Sequence, residues 1–465
     1  MVRVDNGPRG GRVKRAAMLK ALRQTWNDLR HLARARDNVL AAWPKSYYRR
    51  ELIPVRCGLN RWMFVVNSPA GVQHVMVGNG KNYRKSPGNT QMLKPLLGNG
   101  LFVSEGELWQ RQRRMSNPAV HSGRLAGYAK LITSEGEKLL ADWRARGDGH
   151  EEDVTETFTL LTANIISEIM FGFTLGEQRV RLLYEAFVEY QASHGRMHLA
   201  EFLGLPAWLP RPGSRRGRRA VEKFDSVLAE ILAAGRAAEG GEGPDNFLHM
   251  LLAFRDEEGK PMEPGLVRDE MASIFLAGHE TTAITLGWAL WLLEQHPAVE
   301  AKLHAELETV LGGRAPAFED VPKLTYTRAV IDETLRLYPP VHAFTRQAIG
   351  DDEVGGRKIP AGSFVTVSSW VLHRHTLWWD EPEVFRPERF LPGAPQKIDQ
   401  RAYIPFGAGA RICLGKHLGL LESTLLLAMI TREFRVRLRP GHPVEPLARM
   451  TLRPRHGLPM RIERR

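Results

Sequence analysis

Apolar residues recur at helical spacing along most of this chain and alternate at strand spacing in only a few places. From Ala16 to Leu32 the apolar positions are Leu19, Leu22, Trp26, Leu29 and Leu32, with Arg15, Lys20, Arg23 and Arg30 on much of the other face. That pattern fits a first helix docked on its own protein, with a helix lying on an anionic membrane surface as the second reading. Residues 51 to 66 read as two short strands around a turn at Gly58. A helix from Ala70 to Val77 follows, then a loop rich in Gly, Pro and Asn through Asn99, then a helix from Gly106 to Arg114. Helical patterns dominate Leu125 to Asp256, broken by a Pro- and Arg-rich turn at Leu205 to Arg215. A long helix spans Leu266 to Glu294 and stops before Pro297, with two more at Ala298 to Leu311 and Tyr326 to Leu337. Pro339-Pro340 opens a strand-rich section, Val341 to Ser369, and an apolar helix at Leu418 to Ile430 precedes a short β-like tail. The chain is therefore mostly α with a smaller β portion. No internal repeat or linker divides it, so residues 15–465 read as a single domain behind a mobile basic segment, residues 1–14.

Charge changes this picture little. The formal net charge is +13, but the first 50 residues hold 13 Lys or Arg against 3 Asp, and residues 430–465 hold 10 Arg against 3 Glu. The middle is slightly acidic, which argues against a broad nucleic-acid surface. No stretch of 18 uncharged apolar residues could form a transmembrane anchor, and the basic start lacks the apolar core of a secretory signal. With two cysteines, Cys57 and Cys413, neither a disulfide framework nor a Cys-rich zinc site can be drawn. Cys57 lies in a strand-like run and reads as a packing residue.

Cys413 has a different setting. It sits in Phe406-Gly-Ala-Gly-Ala-Arg411-Ile-Cys413-Leu-Gly415, just before the apolar helix. Glycines let backbone N–H groups approach a sulfur, and the start of a helix offers its positive end. Both favour the thiolate that a metal needs. The stretch resembles the heme-ligand loop of the cytochrome P450 family, Phe-x-x-Gly-x-Arg-x-Cys-x-Gly, at every fixed position.

Three further stretches extend the resemblance, which runs from about Arg30 to Pro459. Ala277-Gly278-His279-Glu280-Thr281-Thr282 lies in the middle of the long helix. Gly278 would permit close approach of a flat cofactor. The Thr281 hydroxyl can reach the carbonyl of Ala277 and open the helix locally. The resemblance puts Glu280 and Thr281 at the acid and alcohol positions of an oxygen-activation motif. Glu333 and Arg336, three apart on one helix face, match a Glu-x-x-Arg pair whose third partner is Arg389, in Pro387-Glu-Arg-Phe390. Trp109, Arg113, Arg346 and Arg411 match the residues that hold heme propionates. The segment around His373 and His375 has His375 where Asp or Asn is usual, and reads as a surface turn.

The resemblance implies the cytochrome P450 fold, heme b (iron protoporphyrin IX) as cofactor, Cys413 as axial ligand with Phe406 packed against it, and monooxygenation with O2. Electrons would come from a separate ferredoxin- or flavodoxin-type donor and its reductase, docking beside Arg111, Arg114, Lys416 and His417. A cytoplasmic, bacterial-type system follows from the same likeness. Leu101, Phe102, Ala277, Val341, Ala343 and Phe344 would line the substrate pocket, with Met450-Thr451 closing the far side. All six lining residues are apolar, so an uncharged apolar substrate is expected. A peroxide-driven or non-monooxygenase member of the family, and a heme-thiolate sensor, remain as alternatives.

Overall fold

Residues 37–57, 61–194, 214–237, 246–255, 258–394 and 397–465 are described by a computed structural model. The basic segment 1–14, the helix expected at 16–32, the turn at Gly58 and residues 205–213 of the Pro-rich turn lie outside the described residues. Helices of eight or more residues are numbered α1 to α10. They are α1 (Pro87–Leu97), α2 (Gly106–Ser116), α3 (Leu125–Arg146), α4 (Val154–Phe171), α5 (Glu177–His194), α6 (Ser214–Ala237), α7 (Pro264–Gln295), α8 (Pro297–Leu311), α9 (Thr325–Leu337) and α10 (Lys416–Glu433).

The organising element is α7. Pro264 stands in its first turn, where a missing N–H costs nothing, and Pro297 follows its end. It is buried on most sides, as expected of a helix lacking a polar face. One apolar cluster joins α7 to α3, α4, α8, α9 and α10. A second joins its first half to α1, α4, α5 and α6.

Strands β1 (Leu52–Cys57), β2 (Arg61–Val66) and β3 (Tyr83–Lys85) join β5 (Phe344–Ala348) and β8 (Phe364–Val367) in one sheet, ordered β1-β2-β8-β5-β3. Its β2–β8 contact is parallel, with Val65 opposite Thr366, and β5 runs antiparallel to β8, with Phe344 opposite Val367. Hairpin β6–β7 (Asp352–Val354, Arg357–Ile359) extends that region, and β10–β11 (Pro446–Ala448, Leu452–Pro454) forms another. The chain end builds a third sheet, in which β12 (Pro459–Arg464) lies between β4 (His150–Asp153) and β9 (Phe434–Leu438).

Three elements differ from expectation. The stretch expected as a loop through Asn99 holds β3 and α1. Pro87 is tolerated at a helix start, Pro95 sits near the far end, and Leu93, Leu96 and Leu97 are buried. Strand β4, His-Glu-Glu-Asp, has no apolar alternation and exists through its pairing with β12, from Pro459↔Asp153 to Ile462↔His150.

Candidate active site

The Cys413 loop is shaped by its glycines. Gly409 has φ 71°, and a Cβ there would lie 1.9 Å from the Met76 carbonyl oxygen, so no side chain fits. Gly407, with φ 73°, lies against Phe344. The Cys413 N–H donates to the Phe406 carbonyl at 2.9 Å, which closes the loop just before α10. Burial pushes the Cys413 thiol up, and the opposing pull of the Gly415 N–H and of the Arg113 and Lys416 charges does not overcome it. A thiolate here therefore calls for a stronger positive charge at the sulfur, as a bound metal ion provides. Although deep among protein atoms, Cys413 has an accessible surface, so it faces an internal cleft. Cys57, by contrast, is packed in β1, and burial moves its thiol to about 11.

Beside the loop stands a cluster of cations. Arg411 lies over the Trp109 ring at 4.4 Å, pairs with Glu105, and leaves its Nη1 buried with no partner among the described residues. Arg346, on β5, makes one long hydrogen bond, 3.4 Å, to the Thr345 carbonyl. Burial, with Arg411 nearby, lowers it to about 10. Lys85, on β3, is lowered to about 7 by burial and then by Arg411, while donating to the Leu101 and Ser104 carbonyls at 3.0 and 2.8 Å. Burial also lowers Arg113, near enough to Cys413 to feel its charge. Against these cations the site sets Glu105. An excess of buried positive charge with an orphaned donor fits a dianion such as two propionates. Lys85 and Glu105 had no part in the sequence reading, because β3 lay in the supposed loop.

The middle of α7 departs from its expected roles in two respects. Thr281 Oγ1 donates to the Ala277 carbonyl at 3.0 Å, and Ala277 is exposed between buried Leu276 and half-buried Gly278, so Ala277 faces open space. Gly278 does not. A Cβ there would meet Ile166 of α4 at 2.6 Å, so its smallness serves helix packing and Ala277 takes the cleft-facing position. Glu280 points elsewhere again, since adjacent helix residues diverge by about 100°. Its carboxyl accepts from Thr451 at 2.9 Å and from Gln191 of α5 at 3.1 Å, and Arg453 in turn donates to Gln191 at 2.5 Å. Burial raises the Glu280 carboxyl despite Arg453. So Glu280 and Thr281 are neighbours in sequence whose side chains bond different partners, and Thr451 belongs to the Glu280 network. A second buried acid, Glu422 of α10, bonds Thr282 and is raised to about 8 by burial. His279 is buried, its Nδ1 2.7 Å from the Phe275 carbonyl, and burial lowers it to about 4.

Behind the loop, Glu333, Arg336 and Arg389 meet. Arg336 bonds Glu333 at 2.6 and 2.7 Å and the carbonyls of His373, Pro382 and Val384 at 2.8, 2.7 and 3.1 Å. Arg389 reaches Glu333 at 3.3 Å and the Glu381 carbonyl at 2.8 Å. Glu381, at φ 44°, takes a strained backbone conformation to present that oxygen. His373 and His375 are fully buried, which corrects the surface-turn reading. His373 accepts the Ile404 N–H at 3.0 Å through Nε2 and lies 3.1 Å from the Arg336 carbonyl through Nδ1, so it braces the approach to the Cys loop. Among the described residues no group of three or more His, Cys, Asp or Glu could hold a metal.

Of the expected pocket residues, Phe102 is 51% exposed and Leu101 8%. Val341, Ala343 and Phe344 are partly buried.

The cytochrome P450 family model matches residues 55–459. The chain belongs to this family. It is 35% identical over 402 residues to cyclooctatin synthase of Streptomyces melanosporofaciens, covering 86% of each chain. It is 34% identical to cyclooctat-9-en-7-ol 5-monooxygenase of the same organism, covering 84% of this chain and 83% of the relative. The crystal structure of the cytochrome P450DA heme domain superposes with a TM-score of 0.77 at 25% identity, covering 89% of this chain and 90% of that one. The P450 fold, a heme-iron cofactor and monooxygenase activity with O2 and a redox partner follow from this membership. Among the described residues no helix is long and apolar enough to cross a membrane.

Proposed function

We propose that this P450 uses heme b and electrons from a separate ferredoxin- or flavodoxin-type donor with its reductase. It inserts one oxygen atom of O2 into an uncharged apolar substrate, of terpenoid or steroid type ahead of fatty acids. Bound here, heme would supply the oxygen-activating redox chemistry, which a thiolate ligand favours. The chain supplies the rest. Cys413 would hold the heme iron through the thiolate, with Phe406 and its carbonyl bracing the loop. Trp109, Arg113, Arg346 and Arg411, joined by Lys85, hold the propionates, and the two carboxylates of heme b suit that many cations. Leu101, Phe102, Ala277, Val341, Ala343 and Phe344 present an apolar wall with no charge to offer a substrate. The names of the two Streptomyces relatives agree with this, since one acts on an uncharged cyclic alkenol.

The observation that carries the O2-dependent reading is the Thr281 hydroxyl, bonded to Ala277 where α7 has accessible surface. From there Oγ1 can hold a proton donor in place and pass a proton inward. Glu280, whose carboxyl burial raises, is the reserve one residue away, released when its bonds to Thr451 and Gln191 yield. On the Cys-loop side Arg114 and His417 are exposed, and Arg111 and Lys416 are half-buried. Near Arg114 a cavity of about 410 Å³ also borders His121 and Arg124. A basic surface of this kind suits an acidic donor.

Thr281→Ala tests the reading. The variant keeps its heme and its substrate-induced spectral change but diverts reducing equivalents into hydrogen peroxide, lowering product per electron about tenfold or more. An unchanged ratio of product to electrons removes Thr281 from proton delivery and restores the peroxide-driven alternative.

A further inference from the structure

The loop that carries Phe102 is gripped along its length. Gly98 has φ 53°, and a Cβ there would lie 2.1 Å from the Asp269 carboxylate, so that carboxylate rests directly on the glycine. The Asn99 N–H donates to Asp269 at 2.7 Å, and Gln112 of α2 donates to the Asn99 carbonyl, also at 2.7 Å. A Cβ on Gly100 would come within 2.2 Å of Ser273 Oγ and 2.4 Å of the Asp269 carbonyl oxygen, so the backbone lies flat on α7. The Leu101 N–H donates to Glu270 at 3.3 Å, and the Leu101 carbonyl accepts from Lys85 at 3.0 Å. At the far end Glu105 accepts the Lys85 N–H at 2.6 Å and pairs with Arg411 of the Cys loop.

Loops with this many glycines normally sample many conformations. This one has the backbone polar groups of Asn99 and Leu101 held at both N–H and carbonyl, by α7, α2 and β3. Leu101 and Val103 are buried to either side, and Phe102 between them is half-exposed. The clamp also reaches outward. Asp269 bonds Arg268 at 3.0 Å, and Arg268 pairs with Asp225 of α6.

We propose that Asp269, Glu270 and Gln112 are positioning residues that set the pocket's selectivity by fixing where loop 98–105 places Phe102. The inference rests on the reading of Phe102 as a pocket residue given above. A phenyl ring on a held backbone excludes a ligand shape sharply, whereas the same ring on a loosened loop gives way. Glu270 acts here only as a hydrogen-bond acceptor. Its carboxyl is buried and raised to about 8, so a neutral amide of the same shape can replace it.

Two azoles that ligate ferric heme serve as probes on the intact holoenzyme. Imidazole reports access to the iron, and 4-phenylimidazole adds a ring that must fit beside Phe102. The ratio of their dissociation constants, read optically, is independent of turnover. Phe102→Ala changes the ratio in favour of 4-phenylimidazole by about fivefold or more. Glu270→Ala and Gln112→Ala move it the same way by about threefold to fivefold, the scale of one lost hydrogen bond. Glu270→Gln restores the wild-type ratio. If Phe102→Ala leaves the ratio unchanged, the pocket reading itself fails. If Phe102→Ala changes it while Glu270→Ala and Gln112→Ala both keep the wild-type value, the pocket stands and the clamp is overturned. A Glu270→Gln ratio matching that of Glu270→Ala also overturns the acceptor role. Gly98→Ala, which puts a methyl against Asp269, is an independent disruption, and a wild-type ratio there counts against the clamp.

Discussion

Arg336, fully buried, and Arg346, half-buried, are both arginines close to the Cys413 loop, and they are solvated in opposite ways. Arg336 has a carboxylate across its Nε and Nη2 and backbone carbonyls around the rest of its guanidinium, with no exposed surface. Arg346 has one long bond to its own neighbour's carbonyl and is depressed by burial and by Arg411. A buried charge whose bonds are all made is a structural lock, and taking one partner away is costly. A buried charge left mostly unbonded next to other cations is instead an anion site, because the protein has not supplied what neutralises it. The same residue type is locked into the fold in one place and, in the other, left open toward an anion.

Removing the lock's anion gives the largest effect. Glu333→Ala leaves Arg336 and Arg389 without their carboxylate and costs about 3–5 kcal/mol. Against a typical stability of about 5–15 kcal/mol, the yield of folded, heme-loaded protein falls severely. Heme content and the unfolding midpoint check this, and wild-type values for both would dissolve the distinction between the two arginines. Arg346→Leu sharpens it from the other side. Loss of one charge-assisted bond to a carboxylate, about 1.5–3 kcal/mol, weakens heme retention about tenfold to a hundredfold. The heme-free protein melts no lower than wild type, since an uncompensated buried charge has gone. A heme-free protein that unfolds as readily as Glu333→Ala would show that Arg346 is a lock as well.

A smaller effect concerns pH. Burial holds His279 at about 4 and His373 at about 3, below the ordinary value of about 6.5. Both rings are neutral in the fold and take up a proton in the unfolded chain. Their contribution is therefore full above about pH 6.5 and is lost as pH falls toward 4 and then 3. His279→Phe removes one such group. Between pH 6.5 and 4.5 the variant loses roughly 2–3 kcal/mol less stability than wild type, measured as the change in unfolding free energy. An equal pH slope in the two proteins would place the His279 proton elsewhere.

The parts legible in sequence are those whose geometry is local. The Cys413 loop, the spacing of Glu333 and Arg336, and the reach of Thr281 to the Ala277 carbonyl follow from a turn or one helical repeat. The less legible parts depend on a partner far along the chain. Gly278 looked like a seat for a flat cofactor until Ile166 of α4 took the space. Residues 373–375 read as a surface turn because polar side chains usually stay wet, yet His373 is buried between Arg336 and Ile404.

By itself, then, the sequence determined the family, the glycine-rich loop of Cys413, the helical majority and the long central helix, because periodicity and short-range spacing are covalent facts. Tertiary structure alone decided that Lys85 lies with Arg346 and Arg411 in one cluster of cations and that β4 is a strand. It also turned Glu280 toward Thr451 and Gln191, and brought two acids of α7 to hold the loop of Phe102. Each of these is set by burial and by a hydrogen-bond partner supplied from another segment, often more than a hundred residues away. No local pattern encodes which segment that will be.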